Sequence, residues 1–236
     1  MRIKSTEEQL EKRGFLPEEF DTKSYDLTTE EALELLQSKA PKERTLAARL
    51  LPKEGELERA VDGLLNALIL EKKLYSKMEI SNALARCGEI AIRPLIGQFG
   101  RIGENQHQTV PDKAFKKLNY PLPRDIAART IIRIGSSALP DLLKFIETAK
   151  EEQLSEAIDA IGFICFYNGS KGVFHKLKNR YESIKDNDLV KWKIIRACSG
   201  LPESLGFLQQ EKEELASPRL QREIDRSIGL IRQRVT

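Results

Sequence analysis

Apolar residues recur at helical spacing along most of this chain. Between residues 125 and 134, one helical face is apolar through Ile126, Ala127, Thr130, Ile131 and Ile134. Ala128 and Ile132 form a second, narrower apolar stripe nearly opposite the first. The segment 154–165 repeats the main face. A helix that is apolar on two sides must contact neighbours on more than one side, so the pattern predicts stacked helices.

The same periodicity, with its start and stop signals, predicts where the helices lie. A short N-terminal helix is expected over Thr6–Arg13, and further helices near residues 29–38, 42–51, 55–73, 76–87, 91–100, 125–134, 138–149, 152–167, 170–184, 188–198, 202–215 and 217–234. Thr28 and Glu31 have the spacing of a capping box. Asp125 and Asp188 are expected to be N-caps.

The chain contains an internal repeat. Segments 83–96, 130–143 and 193–205 each combine an apolar helix end, an Arg, a Gly and a Pro that opens a new apolar run, and 46–51 and 157–162 are weaker copies. Gly88 and Gly135 fit the left-handed position that ends a helix. Pro94, Pro140 and Pro202 suit the first turn of the next helix. Each copy therefore predicts two helices joined by a tight turn.

A two-helix unit cannot bury its apolar surface alone, and stacking such units buries a continuous core. The sequence therefore predicts an all-α helical solenoid over residues 28–236, with a lead-in over 1–27 and a C-terminal capping helix. The copies 83–96 and 130–143 are further apart than the other copies because of an insertion near 101–124. Its glycine and prolines predict mainly loop, with one short basic helix around Asp112–Leu118.

The segment Asn82–Phe99 resembles the consensus of the HEAT-repeat family, in particular the short phycobilisome-lyase-like type, and Ala127–Ile146 is nearly as similar. The resemblance extends over roughly residues 28–234. It implies a right-handed α-α superhelix of about five helix pairs that acts mostly as a protein-binding scaffold. A few such proteins are bilin lyases or handle DNA, but fold-level analogy alone is weak support for either activity.

Composition excludes several classes of protein. No apolar run is long enough for a membrane span, and the N-terminus has no apolar leader, so we expect a cytoplasmic protein without membrane contact. Three widely separated cysteines predict neither disulfides nor a zinc site. No nucleotide-binding or hydrolase motif occurs, so no catalytic residue, metal or cofactor is predicted. His107 is expected in a solvated loop.

A ladder of polar residues repeats on the second helix of each pair, which in HEAT-like stacks lines the concave side. The predicted partner-binding residues of this ladder are Arg49, Arg86, Arg129, Arg133, Trp192 and Arg196. Arginine and tryptophan dominate binding energy at many interfaces, and Trp192 and Arg196 are spaced for a cation–π contact. Two alternatives stay open: Arg86 and Arg133 could hydrogen-bond neighbouring carbonyl groups, and Trp192 could pack inside.

The segment 171–196 carries eight basic and three acidic residues, which favours an acidic partner. Its lysines are possible contacts to phosphate or to an acidic protein, namely Lys171, Lys176, Lys178, Lys191 and Lys193. The leading hypothesis is a non-enzymatic scaffold that binds an acidic protein or peptide. The alternative is a nucleic-acid-binding protein, possibly base-processing, in which Trp192 or Tyr167 stacks on a base and Glu156 is the acidic residue. The overall charge of +3 makes the alternative the weaker one.

Overall fold

The computed structural model describes residues 5–113, 115–170 and 172–235. Within these ranges the chain forms thirteen α-helices, three short 3-10 turns and no β-strand, so the all-α prediction is confirmed. None of the helices in the described ranges combines the length and the apolar character that crossing a membrane requires. The helices belong to two compact units, Met1–Gly97 and Gln98–Thr236.

The N-terminal unit contains six helices: α1 Glu7–Glu11, α2 Thr29–Leu35, α3 Pro41–Leu50, α4 Leu57–Leu70, α5 Leu74–Arg86 and α6 Ile92–Ile96. Helix α3 packs against α2 and α5, and α4 packs against α5. The interior is formed by aliphatic side chains such as Leu64, Leu68, Ile80 and Leu84, which are almost completely buried. Burial of these apolar faces is what stabilises helices that are individually short.

The predicted lead-in is attached to the N-terminal unit. Leu16 is buried, and Phe15 packs edge-to-face against Tyr75 of α5 with ring centroids 5.1 Å apart. The Tyr75 amide donates to the Arg13 carbonyl at 3.0 Å, and the Thr45 hydroxyl donates to the Gly14 carbonyl at 2.6 Å. These contacts tie the residues that follow α1 to α3 and α5.

The C-terminal unit contains seven helices: α7 Ile126–Ile134, α8 Leu139–Phe145, α9 Glu151–Asn168, α10 Val173–Ser183, α11 Asp188–Cys198, α12 Leu205–Glu214 and α13 Pro218–Val235. Helix α9 packs against α7 and α11, and α11 packs against α13. Helices α8, α10 and α12 pack against α9, α11 and α13 respectively. Helices α9 and α11 are therefore covered on several sides and form the interior of this unit.

Most of the local signals in the sequence are confirmed. Thr28 and Glu31 form both hydrogen bonds of the capping box, and the Asp125 side chain caps α7 by accepting from the Ala128 amide at 2.9 Å. Gly88 and Gly135 have φ of 64° and 92°, values that favour glycine. The cap of α11 is Asn187, one residue before the predicted Asp188.

The insertion is mainly loop, as predicted, but the short helix expected over Asp112–Leu118 is wrong: residues 112–113 and 115–118 are not helical. Contacts with α13 and α9 determine its path instead. Arg226 of α13 donates to the Asn119 carbonyl at 2.6 Å, and Arg222 donates to the Asp112 carbonyl at 3.0 Å. Tyr120 is buried against Gly162 of α9, where any β-carbon would overlap the phenol oxygen.

Candidate functional site

The centre of the C-terminal unit holds a buried cluster of charged side chains. Lys193 of α11 is fully buried, and its Nζ lies 2.8 Å from Glu156 Oε1 and 2.9 Å from Asp159 Oδ2. Glu156 and Asp159 are themselves only 2% and 5% exposed. Ionic groups removed from water are stabilised only when they are paired this closely. One ammonium therefore pairs with two carboxylates.

Helix geometry explains how the two carboxylates reach one ammonium. Glu156 and Asp159 are three residues apart on α9, so they lie on the same face of that helix. The rest of α9 between Leu154 and Ile161 is also buried, mostly by α7 and α11. Lys193 lies in the middle of the facing helix α11, which fixes its position opposite the two acids.

The pKa values of the cluster follow from this arrangement. Burial raises the pKa of Glu156 to about 7, although Lys193 opposes the shift, and the neighbouring charge of Asp159 adds to it. For Lys193, burial disfavours the ammonium, but Asp159 and Glu156 outweigh burial and its pKa is raised. Lys193 is thus charged at neutral pH, while Glu156 exchanges its proton near pH 7.

Next to this cluster, Trp192 contacts two side chains. The Arg196 guanidinium carbon is 3.6 Å from the centre of the indole ring, so the predicted cation–π contact is confirmed. Arg196 also pairs with Glu223 of α13 at 3.4 Å, and the His107 imidazole lies edge-on to Trp192 at 5.2 Å. Trp192 is 4% exposed, which bears out the alternative that it packs inside.

His107 differs from its prediction. It lies in the insertion loop, but it is half-buried rather than solvated, and its Nδ1 atom is buried without a hydrogen-bond partner. Burial, together with the positive charge of Lys193, lowers its pKa to about 4. The imidazole is therefore neutral at physiological pH, and it contacts the cluster as an uncharged polar group.

Two cavities of the C-terminal unit meet at His107. The first, here called the Asp159 cavity, has a volume of about 220 Å³, and its lining includes His107, Lys113, Phe115, Arg124, Asp159 and Arg196. Lys113 and Arg124 are exposed and lie at its mouth, whereas Asp159 and Arg196 are buried. Asp159 Oδ1 is buried and has no hydrogen-bond partner. The cavity thus has a basic mouth, and its wall includes a buried carboxylate that has one oxygen without a hydrogen-bond donor.

The second, here called the Glu156 cavity, has a volume of about 350 Å³, and its lining includes Gln106, His107, Glu151, Glu152, Ser155 and Glu156. Glu156 Oε1 accepts from Lys193, and Oε2 is buried without a partner. Asp125 lies near by and accepts hydrogen bonds from Gln106 Nε2 at 2.9 Å and the Gly100 amide at 3.1 Å. These bonds fix the loop that forms one side of the cavity.

The N-terminal arginines of the predicted ladder bind their own chain. Arg49 donates to the Leu16 carbonyl at 2.6 Å and pairs with Glu79 at 3.2 Å. Arg86 donates to the carbonyl groups of Ala48 and Leu51 at 2.8 Å and 2.7 Å. The alternative that Arg86 hydrogen-bonds neighbouring carbonyl groups is therefore confirmed, and both guanidinium groups stabilise the ends of helices and loops.

The other two predicted arginines lie on α7. Arg129 donates to the Pro123 carbonyl at 2.5 Å, where it holds the end of the insertion. Arg133 is exposed and donates to the Arg129 carbonyl at 3.2 Å. Partial burial and the charge of Arg129 lower the Arg133 pKa. Within the C-terminal unit, only Arg196 of the predicted ladder lines the Asp159 cavity.

The lysines of segment 171–196 have different environments. Lys176 pairs with Glu147, Lys178 pairs with Glu182 at 3.6 Å, and Lys191 lies 5.5 Å from the centre of the Tyr181 ring. Lys171 lies outside the described residues. Lys193 is buried, so it cannot reach a partner's phosphate from this position, and we leave it out of the proposed surface.

Sequence reasoning missed Asp159 and assigned Lys193 to the surface. A signal was present: Glu156 and Asp159 interrupt an otherwise apolar stretch of α9 on a single helical face. Two acids in a buried helix require a buried cation, because isolated buried charges are strongly disfavoured. Lys193, which lies within the apolar run of α11, was the available residue.

A wider groove of about 860 Å³ lies in the N-terminal unit between α2 and α4. Its charged residues include Arg44, which binds Glu71 through two hydrogen bonds of 2.7 Å and 2.9 Å, and Arg59, which pairs with Glu30. None of the described residues that line it has a buried side-chain atom without a partner. We therefore consider the two cavities at His107 to be the better candidate site.

The cysteines belong to the interior, as predicted. Cys87, Cys165 and Cys198 are buried and free, and burial raises each thiol pKa, to about 11 for Cys87 and Cys165 and about 12 for Cys198. In the described ranges, no group of three or more His, Cys, Asp or Glu side chains is placed to hold a metal ion.

Comparison of the chain with models of known protein families and with curated proteins finds no match. The HEAT-repeat resemblance therefore stays a prediction, and a function is proposed below from the geometry of the site.

Proposed function

We propose that this chain is a non-enzymatic binding protein built from HEAT-like helix pairs, and that its C-terminal unit holds an acidic peptide or protein partner at the Asp159 cavity. The pairing of helices supports the first part. In the C-terminal unit, α7, α9, α11 and α13 are successive neighbours, and α8, α10 and α12 each pack beside one of them. Such a succession is what a right-handed α-α superhelix would require of these helices.

One observation carries the binding proposal. Asp159 Oδ1 is a buried acceptor without a donor, and it belongs to a residue that lines a cavity with a basic mouth. A buried acceptor of this kind costs free energy until a donor reaches it. A main-chain N–H of a bound peptide would supply that donor once the carboxylate turns toward the cavity. The cavity volume of about 220 Å³ accommodates a group of this size.

The charges at the mouth favour an acidic partner. Lys113 and Arg124 line the cavity and are exposed, and the neighbouring insertion residues Lys116 and Lys117 are also exposed. The negative charge of Asp159 keeps the partner's carboxylates out of the cavity and at this basic mouth. The proposed contact residues are therefore Lys113, Arg124, Asp159 and Arg196, of which Arg196 alone belongs to the predicted ladder. Trp192 positions Arg196 by stacking.

Fluorescence anisotropy with a labelled hexaglutamate peptide tests the proposal. We expect the peptide to bind the wild type, and the double variant Lys113→Ala/Arg124→Ala to bind about tenfold more weakly, because two exposed charge contacts are lost. Asp159→Asn, which offers a weaker acceptor, should also weaken binding. The control Lys176→Ala/Lys178→Ala removes the same charge from α10 and should leave the affinity unchanged.

A single-stranded oligonucleotide of matched charge distinguishes the alternative. Nucleic-acid binding is less well supported, because Trp192 is buried with the Arg196 guanidinium over its ring and Glu156 is buried against Lys193. Tyr167 is 49% exposed, but its ring packs on Phe163. Tighter binding of the oligonucleotide than of the peptide would favour the alternative, and millimolar peptide without any binding would overturn the proposal.

A further inference from the structure

The groove between α2 and α4 of the N-terminal unit, here called the α2–α4 groove, is lined by apolar side chains from both helices. Its volume is about 860 Å³. Leu33 and Leu36 line one side, and Ala67 and Leu70 line the other. Leu70 is 76% exposed, the largest value among the exposed large apolar side chains of the described residues. An exposed leucine beside a concave apolar surface is typical of a surface that a partner covers.

Helical spacing places the lining residues of the groove on one face of each helix. They recur every three or four positions along α4, at Arg59, Gly63, Asn66, Ala67 and Leu70, and along α2 and its C-cap, at Glu30, Leu33 and Leu36. The α4 face from its first to its last lining residue spans about 17 Å at the rise of an α-helix. A third helix of about three turns therefore matches the length of the groove, and it can pack between two helices that are already in place.

Contacts across the groove show that α2 and α4 run in the same direction. Glu30 pairs with Arg59 near the N-termini of both helices. About one turn further on, Leu33 lies against Gly63, since a β-carbon at Gly63 would overlap the Leu33 side chain. The C-terminal ends of the two helices therefore lie at the same end of the groove.

The two ends of the groove differ in charge. The N-terminal end carries the ion pair just described, in which the charges balance. At the C-terminal end, Arg44 binds Glu71 through two hydrogen bonds of 2.7 Å and 2.9 Å, so no acid of the lining is left for Lys72 and Lys73. Both lysines are exposed, and neither forms an ion pair with any of the residues that the structure describes. This end of the groove therefore attracts carboxylates.

We propose that the α2–α4 groove binds an amphipathic helix of a partner protein, which has leucine-sized side chains on one face and acidic residues in its first turn. The apolar face packs between α2 and α4 and covers Leu70, while the acids lie at Lys72 and Lys73. Ala67 has a small side chain, so the partner helix can approach α4 closely. Acidic residues in a first turn also stabilise the partner's own helix through its dipole.

The shape and lining of the groove favour a helix over a lipid. A bilayer surface is flat on this scale, so it cannot enter a groove between two helices. Gln37 and Asn66 also line the groove, and both are exposed. Their amides can bond the polar side chains that flank the apolar face of an amphipathic helix, whereas an alkyl chain would remove them from water without offering a partner.

Fluorescence anisotropy with a synthetic helix tests the proposal. The labelled peptide has fourteen residues, with two N-terminal glutamates, leucines at the fourth, seventh, eighth and eleventh positions, and alanine or glutamine elsewhere. We expect the wild type to bind it at least about tenfold more tightly than a peptide of the same composition whose leucines are spread around the helix. Leu70→Ala should weaken binding about fivefold through lost apolar contact, and Lys72→Ala/Lys73→Ala about fivefold through two lost charge contacts.

Two matched controls change similar side chains outside the groove. Leu74→Ala truncates a leucine of α5 that is 48% exposed, and Lys12→Ala/Lys23→Ala removes two exposed lysines. Both controls should bind the peptide as the wild type does. Because every replaced side chain is exposed, we expect all four variants to fold, and circular dichroism checks this.

Three results would overturn the proposal: no peptide binding to the wild type at millimolar concentration, equal binding of the two peptides, or equal loss of affinity in Leu70→Ala and Leu74→Ala. A dimer that Leu70→Ala dissociates in analytical ultracentrifugation, or sedimentation with phosphatidylserine vesicles in place of peptide binding, would also overturn it, since another occupant would then cover Leu70. These variants leave Lys113 and Arg124 intact, so hexaglutamate binding should not change, and failure here is distinguishable from failure of the proposed function.

Discussion

The buried ammonium of Lys193 determines the chemistry of the C-terminal unit at the scale of single residues. It lies within 3 Å of two carboxylates, and each of these acids keeps one oxygen without a partner. The pairing is therefore incomplete on the acidic side, and each free oxygen belongs to a residue that lines a different cavity. A single lysine thus fixes both acids between the two cavities.

Replacing Lys193 with Met should strongly destabilise the protein. The substitution keeps the side-chain volume but leaves Glu156 and Asp159 buried without a cation, which typically costs about 3–5 kcal/mol. Urea denaturation at neutral pH measures the free energy of unfolding. The control Lys178→Met, whose ion pair with Glu182 is exposed, should change it by less than about 1 kcal/mol. A loss below about 1 kcal/mol for Lys193→Met would contradict the buried-pair interpretation.

His107 should titrate far below an ordinary histidine. Its pKa is lowered to about 4, so we expect the imidazole carbon-bound proton signals to move near pH 4 in an NMR titration. The unfolded chain takes up this proton near pH 6.5, and the folded protein therefore loses stability as pH falls from about 6.5 to about 4. His107→Asn should remove that part of the pH dependence. Titration of His107 near pH 6.5 would show that the ring is solvated, as its loop position alone suggests.

At the scale of helices, close approach of α9 to its neighbours depends on Gly162. A β-carbon there would overlap the Tyr120 hydroxyl and would lie 2.9 Å from the Ala197 α-carbon. The insertion loop and α11 both contact α9 at this point. A small residue at position 162 therefore allows the loop that carries His107 to pack against α9.

Gly162→Ala should therefore destabilise the protein although alanine favours helix formation. The overlap should cost more than the roughly 1 kcal/mol that alanine contributes in a helix, for a net loss of about 1–3 kcal/mol. Gly229→Ala in α13 is the matched control, because a β-carbon there meets nothing within 4 Å. It should stabilise by about 0.5–1 kcal/mol. Thermal denaturation of both variants gives the comparison, and equal shifts in Tm would refute it.

Local signals predicted the helices well, because they depend on residues a few positions apart. The Thr28–Glu31 capping box and the Asp125 cap are confirmed, since each needs only its own helical turn. The short helix predicted within the insertion, over Asp112–Leu118, is wrong for the opposite reason: residues near 112–118 contact α13, which lies about a hundred residues further along the chain. No periodicity within the loop encodes those contacts.

The site was less predictable than the fold because a charged residue, which is usually exposed, can be buried when opposite charges on another helix pair with it. Lys193 was expected on the surface from the basic character of its segment, whereas two acids on another helix hold it inside. Trp192 and Arg196 were predicted as a pair and do form one, but Glu223 completes their environment. The spacing of Trp192 and Arg196 along one helix was enough to predict their contact. The contact of Arg196 with Glu223 on α13 is visible only in the tertiary structure.

At the scale of the whole molecule, charge is distributed unequally between the two units. Residues 1–97 carry 16 basic and 18 acidic side chains, and residues 98–236 carry 23 basic and 18 acidic ones. The C-terminal unit is therefore net positive, which supports an acidic partner for it. The Glu156 cavity is a local exception, with three acids in its lining.

The basic mouth should make peptide binding sensitive to salt. Raising sodium chloride from about 50 to about 250 mM should weaken hexaglutamate several-fold, because salt screens the exposed charges of Lys113 and Arg124. The double variant Lys113→Ala/Arg124→Ala has lost these charges, so its weaker binding should change much less with salt. Equal salt dependence of the two proteins in fluorescence anisotropy would contradict the role of the basic mouth.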